Sequence, residues 1–269
     1  MISIRRLAGL LAVAFCVVGA SAASASAAAP AFRHNVCSKV EKTKGTYPTE
    51  AACKKNEKAG EEPREWNGVI TEVTAGSKIP FTDKSGVEEL RSAKHETITC
   101  TKDTSTGEIT GPKTVGNVKV TYTGCTQGTS KIKCKSIPNP EKKSEGTEGK
   151  EEEIITNTVE GELGTVSEGT KVGEALKPVT GDVRFVTIKC GTLNVSVTGS
   201  VIGEVTPINK LQTTGDIVFA ANAANTNQKY TEYENAKGEK ISDHLTAFTE
   251  NAWLVSADEI TFSEAIEVT

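Results

Sequence analysis

Six cysteines carry the most definite chemistry in this chain: Cys37, Cys53, Cys100, Cys125, Cys134 and Cys190. A seventh, Cys16, lies in an apolar N-terminal run. Thiols serve as metal ligands, nucleophiles or disulfide halves. Zinc sites are built from close Cys pairs with further Cys or His nearby. No C-x2-C or C-x4-C pair occurs here, and the whole chain has three histidines. An even number of cysteines behind an export signal reads as three disulfides. Cys37 and Cys53 are set apart by a charged linker and are expected to bond to each other. For the other four, the preferred pairing is Cys125–Cys134 across the turn-rich GCTQGTSKIKC, with Cys100–Cys190 joining two Ile-x-Cys strands. The rival is Cys100–Cys125 with Cys134–Cys190, and it stays open at this stage.

The remaining chemistry-bearing residues select no reaction. A nucleophile needs an adjacent, oriented base. His34 lies near the N-terminus, His95 and His244 flank strands, and there is no G-x-S-x-G. Carboxylates are plentiful but sit mostly in charge runs, so no pair stands out for glycoside hydrolysis. Trp66 and Trp253 are the two possible ligand platforms. The plainer reading makes Trp66 an anchor for a small N-terminal lobe. Asp103-Thr-Ser105-Thr-Gly107-Glu108 faintly resembles a calcium loop but lacks the further carboxylates such a loop needs; a β-turn is the plainer reading. No cofactor and no metal are expected.

Residues 1–27 read as a secretory signal peptide: Arg5 and Arg6, the apolar run Leu7–Val18, and the small-residue site Ala25-Ser26-Ala27. The apolar run is shorter than the roughly 20 residues of a membrane helix. Cleavage would leave no membrane span and a mature start near Ala28. It also removes two positive charges, moving the formal charge from −4 to −6. The lysines are scattered among Glu and Thr with no basic stripe, which argues against nucleic acid as a partner.

The elements that must position these residues read as β. Short Val/Thr/Ile segments alternate with Gly- and Thr-rich turns, and no stretch holds a helical period beyond about two turns. The longest alternation runs from Leu193 to Thr206, with Val195, Val197, Val201 and Val205 on one face. Ile202 is its one clear exception, and Gly199 and Gly203 are expected to bend or bulge it. Trp253–Val255 and the segment from Ile260 to Val268 read as separate strands, and 104–116 as a loop. The expected fold is all-β, a sandwich or barrel of many short antiparallel strands. Residues 28–66 form a small disulfide-stapled N-terminal lobe. Residues 67–269 form the β domain, with a mobile charged insertion at 138–153 that has almost no apolar anchors.

Several short motifs are similar to a group of uncharacterised secreted proteins of actinobacteria. They are Cys37…Gly45-x-Tyr47…Cys53, Ile98-x-Cys100…Gly111, Gly124-Cys125, Gly161-x-Leu163-Gly164, Gly199-Ser200-Val201-Ile202-Gly203 and Ile260-Thr261…Glu264…Ile266. The resemblance implies export and a disulfide-containing β fold; it carries no activity and no catalytic residue.

The function expected is that of an exported, extracytoplasmic protein without catalysis, a binding or structural component of the cell envelope. Its partner would be an envelope glycan or protein. The alternative is an extracellular, glycan-directed hydrolase using a carboxylate pair that the sequence does not single out.

Overall fold

The computed structural model describes residues 29–58, 63–94, 96–142, 146–166, 171–179, 184–235, 237–242 and 244–269. The expected signal peptide lies outside them. Strand β1 (Phe32–Lys39), the five-residue helix α1 (Glu50–Lys54) and β2 (Trp66–Glu72) come first. Then follow β3 (Ile79–Ser85), β4 (Glu88–Ser92), β5 (Thr97–Cys100), β6 (Lys102–Ile109), β7 (Thr114–Thr123), β8 (Thr126–Gln127) and β9 (Ile132–Ile137). The middle of the chain forms β10 (Glu153–Ile155), β11 (Val159–Val166), β12 (Lys171–Pro178), β13 (Arg184–Cys190), β14 (Leu193–Thr198), β15 (Val201–Thr206) and β16 (Gln212–Phe219). Last come β17 (Glu232–Glu234), β18 (Lys240–Ser242), β19 (Leu245–Ala247) and β20 (Glu250–Val268).

The fold is all-β, and of the two architectures expected it is the barrel. Antiparallel pairing runs from β20 through β3, β6, β7, β11, β12, β15 and β16 and returns to β20. A second closed circuit runs from β20 through β4, β5, β8, β9, β13, β14 and β19, again returning to β20. The nineteen-residue β20 is the shared staple: Ala252–Val255 pair with β4, and Asp258–Phe262 with β3. The strands expected at Trp253–Val255 and from Ile260 are therefore one. Closure removes the unpaired edges that open sheets must protect. One apolar core runs through both rings, including Ile98, Ile109, Leu163, Ile188, Val195 and Ile217.

The chain crosses between the rings repeatedly, at β3–β4, β5–β6, β7–β8, β12–β13 and β14–β15 and again on its way from β9 to β11 and from β16 to β19. The β14–β15 crossing divides the ribbon expected from Leu193 to Thr206. Gly199 takes φ +94° there, and a Cβ would collide with the His244 carbonyl, so only glycine fits the crossing. Ile202, the exception in the alternation, points outward. It packs with Val166, Ala175, Tyr230 and Tyr233 in a satellite core beneath β17 and β18.

Four other expectations change. Residues 104–116 are mostly strand, because β6 places Asp103, Ser105 and Gly107 inward, where their polarity and smallness disguise the alternation. The N-terminal lobe does not begin at residue 28. β1 pairs with β20 as well as β2, and Phe32 belongs to the main core, so the stapled unit is α1 with its flanking loops.

The 138–153 segment holds to the second ring through polar anchors rather than apolar ones. Asn139 is buried and accepts a 2.5 Å bond from Arg184 Nη1, and Gly149 N donates to Ser136 O. Residues 143–145 lie outside the described set.

The disulfides are Cys37–Cys53, Cys100–Cys125 and Cys134–Cys190, so the preferred pairing is wrong for four cysteines and the rival is right. The register explains why. Cys134 stands directly opposite Cys190 across β9 and β13. Cys134 N donates to Cys125 O, and Thr99 opposite Thr126 brings Cys125 beside Cys100. The four cysteines thus form a row across β5, β8, β9 and β13. Cys100 and Cys190 sit at its ends, three strand spacings or about 14 Å apart, twice the Cα separation a disulfide can bridge. Joining the middle two would strand the outer two.

Candidate functional site

Successive residues of a strand face opposite sides of its sheet, so a barrel interior collects every second residue. On four strands that inward phase carries a carboxyl among apolar neighbours. β3 presents Ile79, Phe81 and Asp83. β6 presents Asp103, Ser105, Gly107 and Ile109. β12 presents Val172, Glu174 and Leu176, and β20 presents Asp258, Ile260 and Phe262. Glu88 opens β4 in phase with Leu90. β7 adds Tyr122 after a bulge at Asn117, whose φ of +54° shifts the inward set from Val115 to Val118, Val120 and Tyr122.

These groups meet in a cavity of about 130 Å³ at the seam between the rings, lined mainly by apolar side chains such as Phe81, Leu90, Val118, Val197, Phe219 and Leu254. Glu88, Asp103 and Asp258 offer one carboxylate oxygen each within 4.8 Å of one another. Ser85 donates to Glu88 and Ser105 to Asp83. Ser256 Oγ reaches Glu88 Oε1 at 2.9 Å and also contacts Asp258. Three buried oxygens are left without a partner: Asp83 Oδ1, Glu88 Oε2 and Asp103 Oδ1. Among the described residues no Lys, Arg or His lines the cavity.

The electrostatics follow from that imbalance. An ionised carboxylate in an apolar interior loses its hydration, and each like charge nearby raises the cost further. Burial holds Asp83 up at about 6, with the charge of Asp103 adding to it, and Glu174 up at about 7. Glu88 and Asp258 are pushed well above the carboxylate range, by burial first and then by Asp103. Tyr122 is raised by burial and by the same acids. The contrast is Glu204 on the outer face. Burial favours its neutral form, but bonds from Lys171, Tyr230 and Lys229 outweigh this and bring it to about 2.

The residues singled out in the sequence stand elsewhere. Trp253 is buried and does not line the cavity, so it offers no face to a sugar. Trp66 packs with Tyr47, Ala52 and the Cys37–Cys53 bridge, the anchor role rather than a platform. His34 Nδ1 lies 2.6 Å from Glu264 Oε1, tying β1 to β20. His95 lies outside the described residues. The 103–108 stretch is β6 rather than a calcium loop or a β-turn, yet Asp103 does join an acidic cluster, formed across strands and not along one loop. The carboxyl constellation is assembled from strands far apart in the sequence. Its signal is a charge in phase with apolar residues, as in Phe81-x-Asp83 and Asp258-x-Ile260.

Fold and site together define an antiparallel β-barrel of two rings sharing one strand, with an acid-bearing apolar cavity where they join. No family model, curated protein or solved structure matches the chain. No helix among the described residues is long and apolar enough to cross a membrane.

Proposed function

We propose that this chain is an exported binding protein of the cell envelope whose barrel takes up a small, mainly apolar molecule. One observation carries the reading: an apolar cavity into which carboxyl oxygens project without partners. Interiors are normally close-packed, and buried polar atoms are normally satisfied. Here both rules are broken at one place, which is the pattern of a ligand site. The volume, about 130 Å³, is near that of an engineered cavity that binds benzene, so the occupant is about the size of one aromatic ring. Three disulfides suit an oxidising compartment outside the cytoplasm.

The test is uptake of ring-sized probes, toluene, phenol and benzylamine, by the folded chain lacking residues 1–27, followed by calorimetry and thermal shift. Saturable binding of at least one probe is expected, and it should be abolished by Val118→Phe, which fills the cavity. Absence of any saturable binding rejects the proposal.

The glycan-directed hydrolase keeps one supporting observation, the buried carboxyl pair Glu88 and Asp258. Against it stand the small volume and the apolar wall, which suit neither a sugar chain nor its hydroxyls. Release of nitrophenol from nitrophenyl glycosides, lost in Glu88→Gln, would move the assignment to that class.

A further inference from the structure

The carboxyl cluster specifies the ligand more narrowly than the cavity does. We infer that the occupant carries a protonated amine, seated on Glu88, Asp103 and Asp258, with its apolar body among the valines and phenylalanines. The inference rests on the binding role proposed above and names the ligand class for the same site.

Three observations converge. The interior holds the carboxyl groups of Asp83, Glu88, Asp103, Glu174 and Asp258 and the phenol of Tyr122, and among the described residues no cation faces them. Buried charges in proteins are paired or hold a cation. Second, Glu88 and Asp103 are among the most buried polar residues, at 2% and 3% exposure, and each keeps an oxygen with no donor. Third, the spacing fits. An ammonium nitrogen about 2.8 Å from each acceptor, in tetrahedral directions, holds those acceptors about 4.6 Å apart, a separation that falls inside the 4.8 Å bounding the three carboxylate oxygens. A calcium ion would also accept this oxygen set. It would leave the apolar remainder of the cavity without an occupant, and that favours the amine.

The ligand's charge must appear in its pH dependence. Below neutrality the neutral forms of Glu88 and Asp258 attract an ammonium weakly. As pH rises, the acids release protons to the solvent, and the ammonium becomes their counter-ion. All six groups named above face the cavity, and Asp83, Glu88, Glu174 and Asp258 are those whose burial raises them into that window.

The deciding experiment compares benzylamine with toluene, of the same shape but uncharged, on the folded chain from pH 6 to pH 9, with calcium and magnesium chloride as further titrants. Benzylamine is expected to bind at least tenfold more tightly than toluene at pH 8. Its affinity should rise at least tenfold from pH 6 to pH 9 while that of toluene stays flat. Glu88→Gln should remove the preference. If that variant does not fold, the wild-type pH profile decides alone. Equal binding of the two probes at every pH overturns the amine and leaves the binding role standing. No binding of either rejects both. Calcium that binds the cluster and excludes benzylamine makes the site a metal centre and overturns the amine.

Discussion

The carboxyl groups of Glu88 and Asp258 meet at the hydroxyl of Ser256, which lies 2.9 Å from Glu88 Oε1 and in direct contact with Asp258 Oδ1. A hydroxyl has one proton and can donate to only one of them. The other contact is a hydrogen bond only if that carboxyl is itself protonated and donates to Oγ. The arrangement suits a neutral acid, the state that burial also favours for both groups.

Stability should fall as pH rises. Asp83, Glu88, Glu174 and Asp258 all have folded-state pKa values above their unfolded ones. Between those values the folded chain binds more protons than the unfolded chain, so each unit of rising pH costs stability. The loss begins near pH 3.8 for the two aspartates and near 4.5 for the two glutamates, continues through about 6 for Asp83 and about 7 for Glu174, and extends higher for Glu88 and Asp258. Glu204 has the opposite sign, its stabilisation fading as pH drops from 4.5 toward about 2. Thermal unfolding without ligand should give a midpoint several degrees lower at pH 9 than at pH 5. A flat or rising profile across that range contradicts the cluster's protonation.

Asp258→Asn should flatten that slope. The amide keeps the shape and cannot ionise, so at pH 9 the variant should unfold at a higher temperature than the wild type. At pH 5, where the wild-type acid is already neutral, the two should be close. Equal slopes in the two proteins would show that Asp258 does not titrate in this window.

Gly107 is one of the first-ring positions with no room for a side chain. A Cβ there would overlap the ring of Phe81, which fills the space above β6. Gly107→Val should destabilise by about 1–3 kcal/mol through overpacking, read as a lower urea midpoint with an unchanged slope. Retention of the wild-type midpoint would mean that Phe81 has somewhere else to go.

Non-reducing peptide mapping should recover Cys100 joined to Cys125, and Cys134 joined to Cys190. The second bridge closes 56 residues and in the chain-entropy model stabilises by about 4 kcal/mol, against about 3 for the 16-residue Cys37–Cys53 loop. The double variant Cys134→Ala/Cys190→Ala should thus lower the unfolding free energy more than Cys37→Ala/Cys53→Ala.

Asn139 should prove to be an anchor of the charged segment. Its side chain accepts from Arg184 and is buried. Removing a buried partner of a charged group costs about 1.5–3 kcal/mol. Asn139→Ala should lower the thermal midpoint by several degrees and speed proteolysis within 138–153. An unaltered midpoint would restore the view of this stretch as a loose insertion.

The sequence by itself determined what local patterns encode. Val195, Val197, Val201 and Val205 alternate with polar residues, and that period settles extended structure with these valines inward, although the chain divides it into β14 and β15 and buries the other face of β15 through Ile202. Gly199 marked a bend because no other residue tolerates the backbone a sharp crossing needs. The pairing of Cys37 with Cys53 was legible because both lie in one short, isolated segment.

What tertiary structure alone decided depends on which strands become neighbours. Cys100 and Cys190 share the same local motif, yet β8 and β9 stand between them, and no local signal reports an intervening strand. β20 reads as two short strands because its pattern changes where it passes from one ring to the other. The candidate site is the clearest case. Asp83, Glu88, Asp103, Glu174 and Asp258 come from five strands spread over most of the chain, and each alone looks like one more surface acid. Only ring closure turns their faces inward to a common point, and only there do burial and the lack, among the described residues, of a facing Lys, Arg or His give them their chemistry.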